Sequence, residues 1–231
     1  MTGAGAWSAG AAWIDGRYCP IGEAKISVTC TRGRLAPGSR DLCTARNTFY
    51  CYAVPFVWVS RRPEGASMWV SEVVRIPPQS VDPLVKNYHW LDLDLALLDA
   101  CDHDADLVVL RDLSGAITEG PGYNVFAFTG GRWLTPADAT LAGVTRRTVI
   151  ELALQVGQQV EQGRLTADDL YQAAEVLITS TAGGVMPVTV IDGKPVGTGT
   201  PGPLTQRLQD LYWASHSDPR YSTPVRYDEP D

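Results

Sequence analysis

Ser80-Val-Asp-Pro-Leu-Val-Lys-Asn-Tyr-His-Trp90 contains Lys86, the residue around which this 231-residue chain is read. Lys25, Lys86 and Lys194 are the only lysines among 19 basic residues, so arginine carries almost all the positive charge. Lys25 and Lys194 stand in polar, glycine-flanked surroundings, whereas Lys86 stands alone among apolar and aromatic residues. A solvated charge at that position could equally be arginine. An amine that must lose its proton and attack a carbonyl could not, because guanidinium stays protonated. Lys86 therefore reads either as a Schiff-base lysine or as a lysine lying along an amphipathic segment with its ammonium in water. The stretch alone favours the second reading. Residues further along the chain reverse that preference.

The composition sets outer bounds. Apolar residues make up 45% and charged residues 19%, as in ordinary globular proteins. The net charge is −7 without a basic run, which argues against nucleic acid and anionic membrane as partners. No apolar run is long enough to span a bilayer. Met1–Gly10 lacks a basic segment followed by an apolar one, and its small-residue bias reads as a frayed tail, not a signal peptide. Five cysteines without a CxxC pair suggest free thiols and a cytoplasmic location. His89, His103 and His216 show no ligand spacing, so metal is not expected.

Along the chain, Asp15-Gly16 joins two strands, Ala11–Ile14 and Arg17–Cys19, in a tight hairpin. Ile26–Thr31 is β-prone. Arg32–Arg46 reads as a basic loop, either plain surface charge or a means of capturing a substrate carboxylate. Thr48–Val59 is aromatic and β-branched enough for a core strand despite Pro55. A strand over Met68–Ile76 follows. Pro77-Pro78 then forces an extended connection, which places domains at 1–76 and 84–231 with a linker at 77–83. Trp90, Leu93, Leu97 and Cys101 recur at helical spacing. Leu107–Leu110, Val125–Thr129, Arg132–Thr135, Val176–Thr179 and a hairpin at Val188–Val196 complete the expected strands. A helix after Thr145 shows Val149, Leu152, Ala153 and Val156 on one face and closes at Gly157. Thr166 opens a helix, and Pro203–His216 is a terminal helix with Leu204, Leu208, Leu211 and Tyr212 on one face.

Three features give Lys86 a context. Glu119 precedes Gly120, Pro121 and Gly122, a turn that can aim a carboxylate into a cleft or merely leave it on the surface. Gly143-Val144-Thr145 places backbone N–H groups at a helix start, which fits an anion seat or an ordinary N-cap. Ser180-Thr-Ala-Gly-Gly184 ends a strand with residues small enough for a ligand to approach, or makes only a tight turn. Together they supply an amine, a carboxylate and two phosphate-binding loops, the set needed to hold pyridoxal phosphate.

Val85-Lys-Asn-Tyr-His-Trp90, Thr118-Glu-Gly-Pro-Gly-Tyr-Asn124, Gly143-Val-Thr-Arg146 and Thr179-Ser-Thr-Ala-Gly-Gly-Val-Met-Pro187 resemble the motifs of class IV aminotransferases. The (R)-selective amine transaminases are the nearest match, through Lys-Asn-x-x-Trp and Thr-Ala-Gly-Gly. The resemblance runs from about Thr29 to Tyr227. It implies an α/β protein with mixed α+β sheets, the two-domain D-amino-acid-aminotransferase-like fold, with pyridoxal 5'-phosphate as cofactor. By the same resemblance Lys86 is the Schiff-base lysine and proton carrier, and Glu119 pairs with the pyridine nitrogen. Val144, Thr145 and Thr181 hold the phosphate. Trp90 and Ala182 line the substrate pocket, and Arg40 meets the acceptor's carboxylate. The partners implied are an amine or amino acid and a 2-oxo acid, in a homodimer. Branched-chain and D-amino-acid transamination are the alternatives within the family, and a non-catalytic binding protein derived from such an enzyme is the alternative outside it. One departure is evident. Ile26-Ser-Val28 runs directly into Thr29-Cys-Thr-Arg32, where the family has a helical segment with the phosphate-gripping arginine. The N-terminal domain therefore reads as internally shortened.

Overall fold

In the computed structural model of the chain, residues 11–14, 17–20, 24–55, 59 and 62–223 are described. The expected N-terminal tail, the Asp15-Gly16 turn, Phe56–Trp58, Ser60, Arg61 and residues 224–231 lie outside them. The chain divides into two compact units between Trp58 and Val59, not at Pro77-Pro78 as the sequence suggests. The reason is the strand Ala66–Val74, which a boundary at the prolines would leave in the first domain. It lies inside the main sheet of the second unit.

The first unit contains two hairpins. β1 (Ala11–Ile14) pairs antiparallel with β2 (Arg17–Pro20), with Ile14 opposite Arg17, as a two-residue connection requires. β3 (Ala24–Thr31) pairs along its length with β4 (Thr48–Pro55). β4 is not the core strand that its composition suggests: Phe49 is 69% exposed, and Tyr50 and Tyr52 are also exposed. A two-stranded ribbon has no second layer of its own to bury its aromatic side chains. Between β3 and β4 the basic loop is irregular apart from a single 3-10 turn, Leu42–Thr44, capped by Asp41.

The second unit is organised by one mixed sheet of nine strands among the described residues. Its members are β5 (Ala66–Val74), β6 (Leu107–Arg111), β7 (Glu119–Gly120), β8 (Tyr123–Thr129), β9 (Arg132–Pro136), β10 (Val160–Gly163), β11 (Glu175–Ser180), β12 (Gly184–Ile191) and β13 (Lys194–Pro195). The spatial order is β10-β9-β8-β11-β12-β5-β6, with β7 on β8 and β13 on β12. Four helices accompany it: α1 (Leu91–Asp102), α2 (Val144–Gln155), α3 (Ala167–Tyr171) and α4 (Pro203–Ser215).

Alternation along the strands sends side chains to two faces. Val125, Ala127, Val176, Ile178, Met186 and Val188 form one core. Phe126, Leu177 and Val185 form the other, closed by Val149 and Ala153 of α2 and by Leu208 of α4. α1 covers Val108 and Leu110. Its inward face is Asp92, Leu93, Ala96 and Ala100, whereas Cys101, expected inward, is exposed. The first residue of β11, Glu175, ties that strand to the start of α4. Its carboxylate accepts the N–H of Leu204 (3.1 Å) and both the N–H and the hydroxyl of Thr205 (each 2.7 Å). It satisfies donors that every helix start leaves open.

Candidate active site

A cleft of about 300 Å³ opens where several strand ends and loops meet. The loop before α1, the β7–β8 turn, the start of α2 and the end of β11 all line it. Each is held by specific bonds. Tyr123 donates its hydroxyl to the Val108 carbonyl (2.7 Å) and accepts the Val108 N–H (2.8 Å), which fixes the β7–β8 turn to β6. Burial pushes the Tyr123 phenol well above its usual range, so it remains a donor. The Ser180 hydroxyl donates to the Gly122 carbonyl (2.9 Å), tying the turn to β11. The Asn124 amide donates to the Thr140 hydroxyl and the Leu141 carbonyl, both at 2.9 Å. Its Oδ1 lies so close to Gly143 that a Cβ there would come within 2.3 Å, so the entry to α2 requires glycine at this point.

α2 begins at Gly143 without a side-chain cap. Its first-turn N–H groups therefore present a partial positive charge at the cleft. Val144, Thr145 and Thr181 line the cleft beside them. So does Thr179, whose hydroxyl is buried and without a hydrogen-bond partner. A buried hydroxyl in that state is costly unless something arrives to bond it.

On the other side of the cleft lies a buried charge cluster. Glu119 Oε1 accepts from Arg75 Nη2 (3.2 Å) and Nε (3.3 Å). Glu119 Oε2 accepts from the Leu141 N–H (2.9 Å) and the Thr140 hydroxyl (3.2 Å). Burial pushes the Glu119 carboxyl up, while the Leu141 N–H and the Arg75 guanidinium pull it back. With four donors facing it, the carboxylate is ionised, since a proton there would point at another donor. Arg75 also donates Nη1 to Asp92 at 2.6 Å, and Asp92 accepts the Ile76 N–H at 2.8 Å. Lys86 lies exposed at the cleft mouth in the loop before α1, and Trp90 lines the cleft at the N-cap of that helix.

The structure therefore gathers Lys86, Trp90, Glu119, Val144, Thr145 and Thr181 in one place. Ala182 is not among the lining residues; its carbonyl accepts the Val59 N–H at 2.8 Å. Arg40 is exposed and belongs to the other unit. Sequence reasoning missed Arg75, Asp92, Asn124 and Thr179. An arginine at a strand end and an aspartate in a first helical turn carry no motif, and only their pairing reveals a site.

These residues fit pyridoxal phosphate. The uncapped helix start and the orphaned Thr179 hydroxyl suit the phosphate, the Glu119 carboxylate suits a protonated ring nitrogen, and Lys86 suits the aldehyde. Among the described residues there is no cluster of potential metal ligands and no helix long and apolar enough to cross a membrane.

Comparison with known proteins agrees with the geometry. The branched-chain-amino-acid aminotransferase of Pseudomonas aeruginosa is 37% identical over 128 residues, which cover 55% of this chain and 42% of that one. Its Escherichia coli K12 counterpart is 33% identical over 153 residues, covering 65% and 50%. The chain spans between 34% and 66% of the length of the first curated relatives it matches. Among solved structures, the branched-chain amino acid aminotransferase of Thermobaculum terrenum in its PLP form superposes with a TM-score of 0.77 at 26% identity, covering 86% of this chain and 66% of that one. The relatives named here are branched-chain enzymes. A family model described as amino-transferase class IV matches residues 16–191, so the chain belongs to the class IV aminotransferase family.

Proposed function

We propose that this protein transfers amino groups between an amine or amino acid and a 2-oxo acid, using pyridoxal 5'-phosphate tethered to Lys86. The observation that carries this reading is the convergence of Lys86, the Glu119 carboxylate and the uncapped start of α2 on one cleft. When bound, the cofactor supplies an electron sink that stabilises negative charge at the substrate's α-carbon.

Lys86 Nζ provides the covalent tether. As a free amine it would carry the proton to and from the substrate's α-carbon, a task that needs an amine and excludes guanidinium. Glu119 orients the ring and keeps its nitrogen charged by charge pairing. The α2 N–H groups, with the Thr145, Thr179 and Thr181 hydroxyls, hold the phosphate and fix the ring's position. Trp90 and the apolar rim at Val85 keep water from the reacting atoms. Glu119 accepts from Thr140 and Leu141, both in the loop that leads to α2, so the residues that would hold the two ends of the cofactor are positioned together.

Named relatives favour a branched-chain amino acid as donor, while the Lys-Asn-x-x-Trp and Thr-Ala-Gly-Gly motifs favour an (R)-amine. A homodimer fits the exposed Leu91, Leu95 and Leu98 along the outer face of α1. The test is to add pyridoxal phosphate, record the visible spectrum, and assay L-leucine, a D-amino acid and an (R)-amine against a 2-oxo acid. A visible band with transfer from one donor supports the proposal. No band and no transfer would favour a binding protein derived from the family.

A further inference from the structure

Asp92 and Glu119 share a single guanidinium. Arg75 donates Nη1 to Asp92 at 2.6 Å, and its longer bonds, 3.2 and 3.3 Å, go to Glu119. All three side chains are less than a tenth exposed. The other donors to Glu119 are neutral, a backbone N–H and a hydroxyl. Two buried carboxylates against one cation leave one negative charge unmatched. Lys86 is the only other cation lining the cleft among the described residues, and it is exposed at the mouth. The Asp92 Oδ1 atom has no donor at all. Burying an uncompensated carboxylate is expensive, and an apolar residue at this position of α1 would avoid that cost. If holding Arg75 against Glu119 were the whole purpose, one carboxylate would be enough.

We propose that Asp92 is a positioning residue that neutralises Arg75, so that Glu119 keeps a full negative charge for a cation in the cleft. That cation is the protonated ring nitrogen. Without Asp92, Arg75 would be matched by Glu119 alone, the cluster would be neutral, and it would no longer favour a positive ring over a neutral one. The inference rests on the reading that Glu119 faces the ring nitrogen. The simpler alternative is that Asp92 only anchors the start of α1 through Arg75 and the Ile76 N–H.

The experiment compares two ligands by equilibrium dialysis at neutral pH: pyridoxal phosphate and its deaza analogue, in which carbon replaces the ring nitrogen. Both keep the aldehyde and phosphate, so their affinity ratio reports on the ring nitrogen alone. Wild type should prefer pyridoxal phosphate. Asp92→Asn keeps the shape and should lower that preference about tenfold, the equivalent of a one-unit fall in the ring nitrogen's pKa. The double variant Asp92→Asn, Arg75→Gln removes the cation as well and should restore the preference.

A wild-type ratio near one would defeat the Glu119 reading and this inference with it. A clear wild-type preference that Asp92→Asn leaves unchanged would overturn the inference alone. If both variants lose the preference, Asp92 serves only to hold the structure, and the inference again fails. Should Asp92→Asn not fold, the double variant decides: a wild-type ratio supports the inference and a ratio near one overturns it.

Discussion

Glu119 Oε2 accepts the backbone N–H of Leu141 at 2.9 Å, which binds the carboxylate to the loop that delivers Gly143 and the start of α2. The same side chain thus serves both ends of the cleft. Glu119→Gln keeps an oxygen to accept from Leu141 but removes the charge. Cofactor affinity should fall about tenfold, as for loss of the ring nitrogen's charge partner, while the single-turnover rate of the amino-donor half-reaction should drop on the order of a hundredfold, as for loss of one preorganised electrostatic partner. Equal losses in affinity and rate would contradict the role.

The orphaned Thr179 hydroxyl gives opposite effects in the two states of the protein. Thr179→Val keeps the shape and removes the unbonded group. The cofactor-free protein should be unchanged or more stable, by up to about 1 kcal/mol in denaturant unfolding. Cofactor affinity by dialysis should weaken about tenfold, the equivalent of one hydrogen bond of about 1.4 kcal/mol. Losses in both measurements would mean that Thr179 is purely structural.

Much of the sheet was legible in the sequence because its strands alternate or run apolar between glycine turns, as Val125–Thr129 and Val176–Thr179 do. α2 was legible from its Val149, Leu152 and Ala153 face and from Gly157, whose φ of +77° closes it. β10 was not, because Val-Glu-Gln-Gly carries no pattern and pairs only with β9 at the sheet edge. The face of α1 was misplaced by about one residue because an inward aspartate contradicts hydrophobic periodicity. Only the buried Arg75 explains why Asp92 faces inward. In the same way, Lys86, Glu119 and Thr145 could be read from motifs, whereas Arg75 and Asp92 are recognised only by their contact across elements distant in sequence.

Glu175 caps α4 from the neighbouring strand, and Gly202 must lack a Cβ because one would come within 2.0 Å of the Glu175 carboxyl carbon. Glu175→Ala leaves two N–H groups and a hydroxyl without their acceptor. It should cost about 2–3 kcal/mol in denaturant unfolding. A change of a few tenths would show that water replaces the carboxylate.

Tyr171 donates its hydroxyl to Asp192, which also accepts the Val70 N–H at 2.9 Å. Burial and the Asp192 carboxylate push the phenol from 10.0 up to about 12. The folded state then holds this proton more tightly than the unfolded state. Its contribution to stability is complete below pH 10.0 and is lost as pH rises toward about 12. Thermal unfolding of wild type should therefore fall off in that window by an increment that Tyr171→Phe lacks. Parallel curves for the two proteins would contradict the assignment.

The central claim is that Lys86 tethers the cofactor, and reduction with borohydride followed by peptide mapping tests it most directly. Borohydride should fix one pyridoxyl group on the peptide containing Lys86, and Lys86→Arg should abolish the label because arginine cannot form the imine. A label on Lys25 or Lys194, or no label on a protein saturated with pyridoxal phosphate, would contradict it.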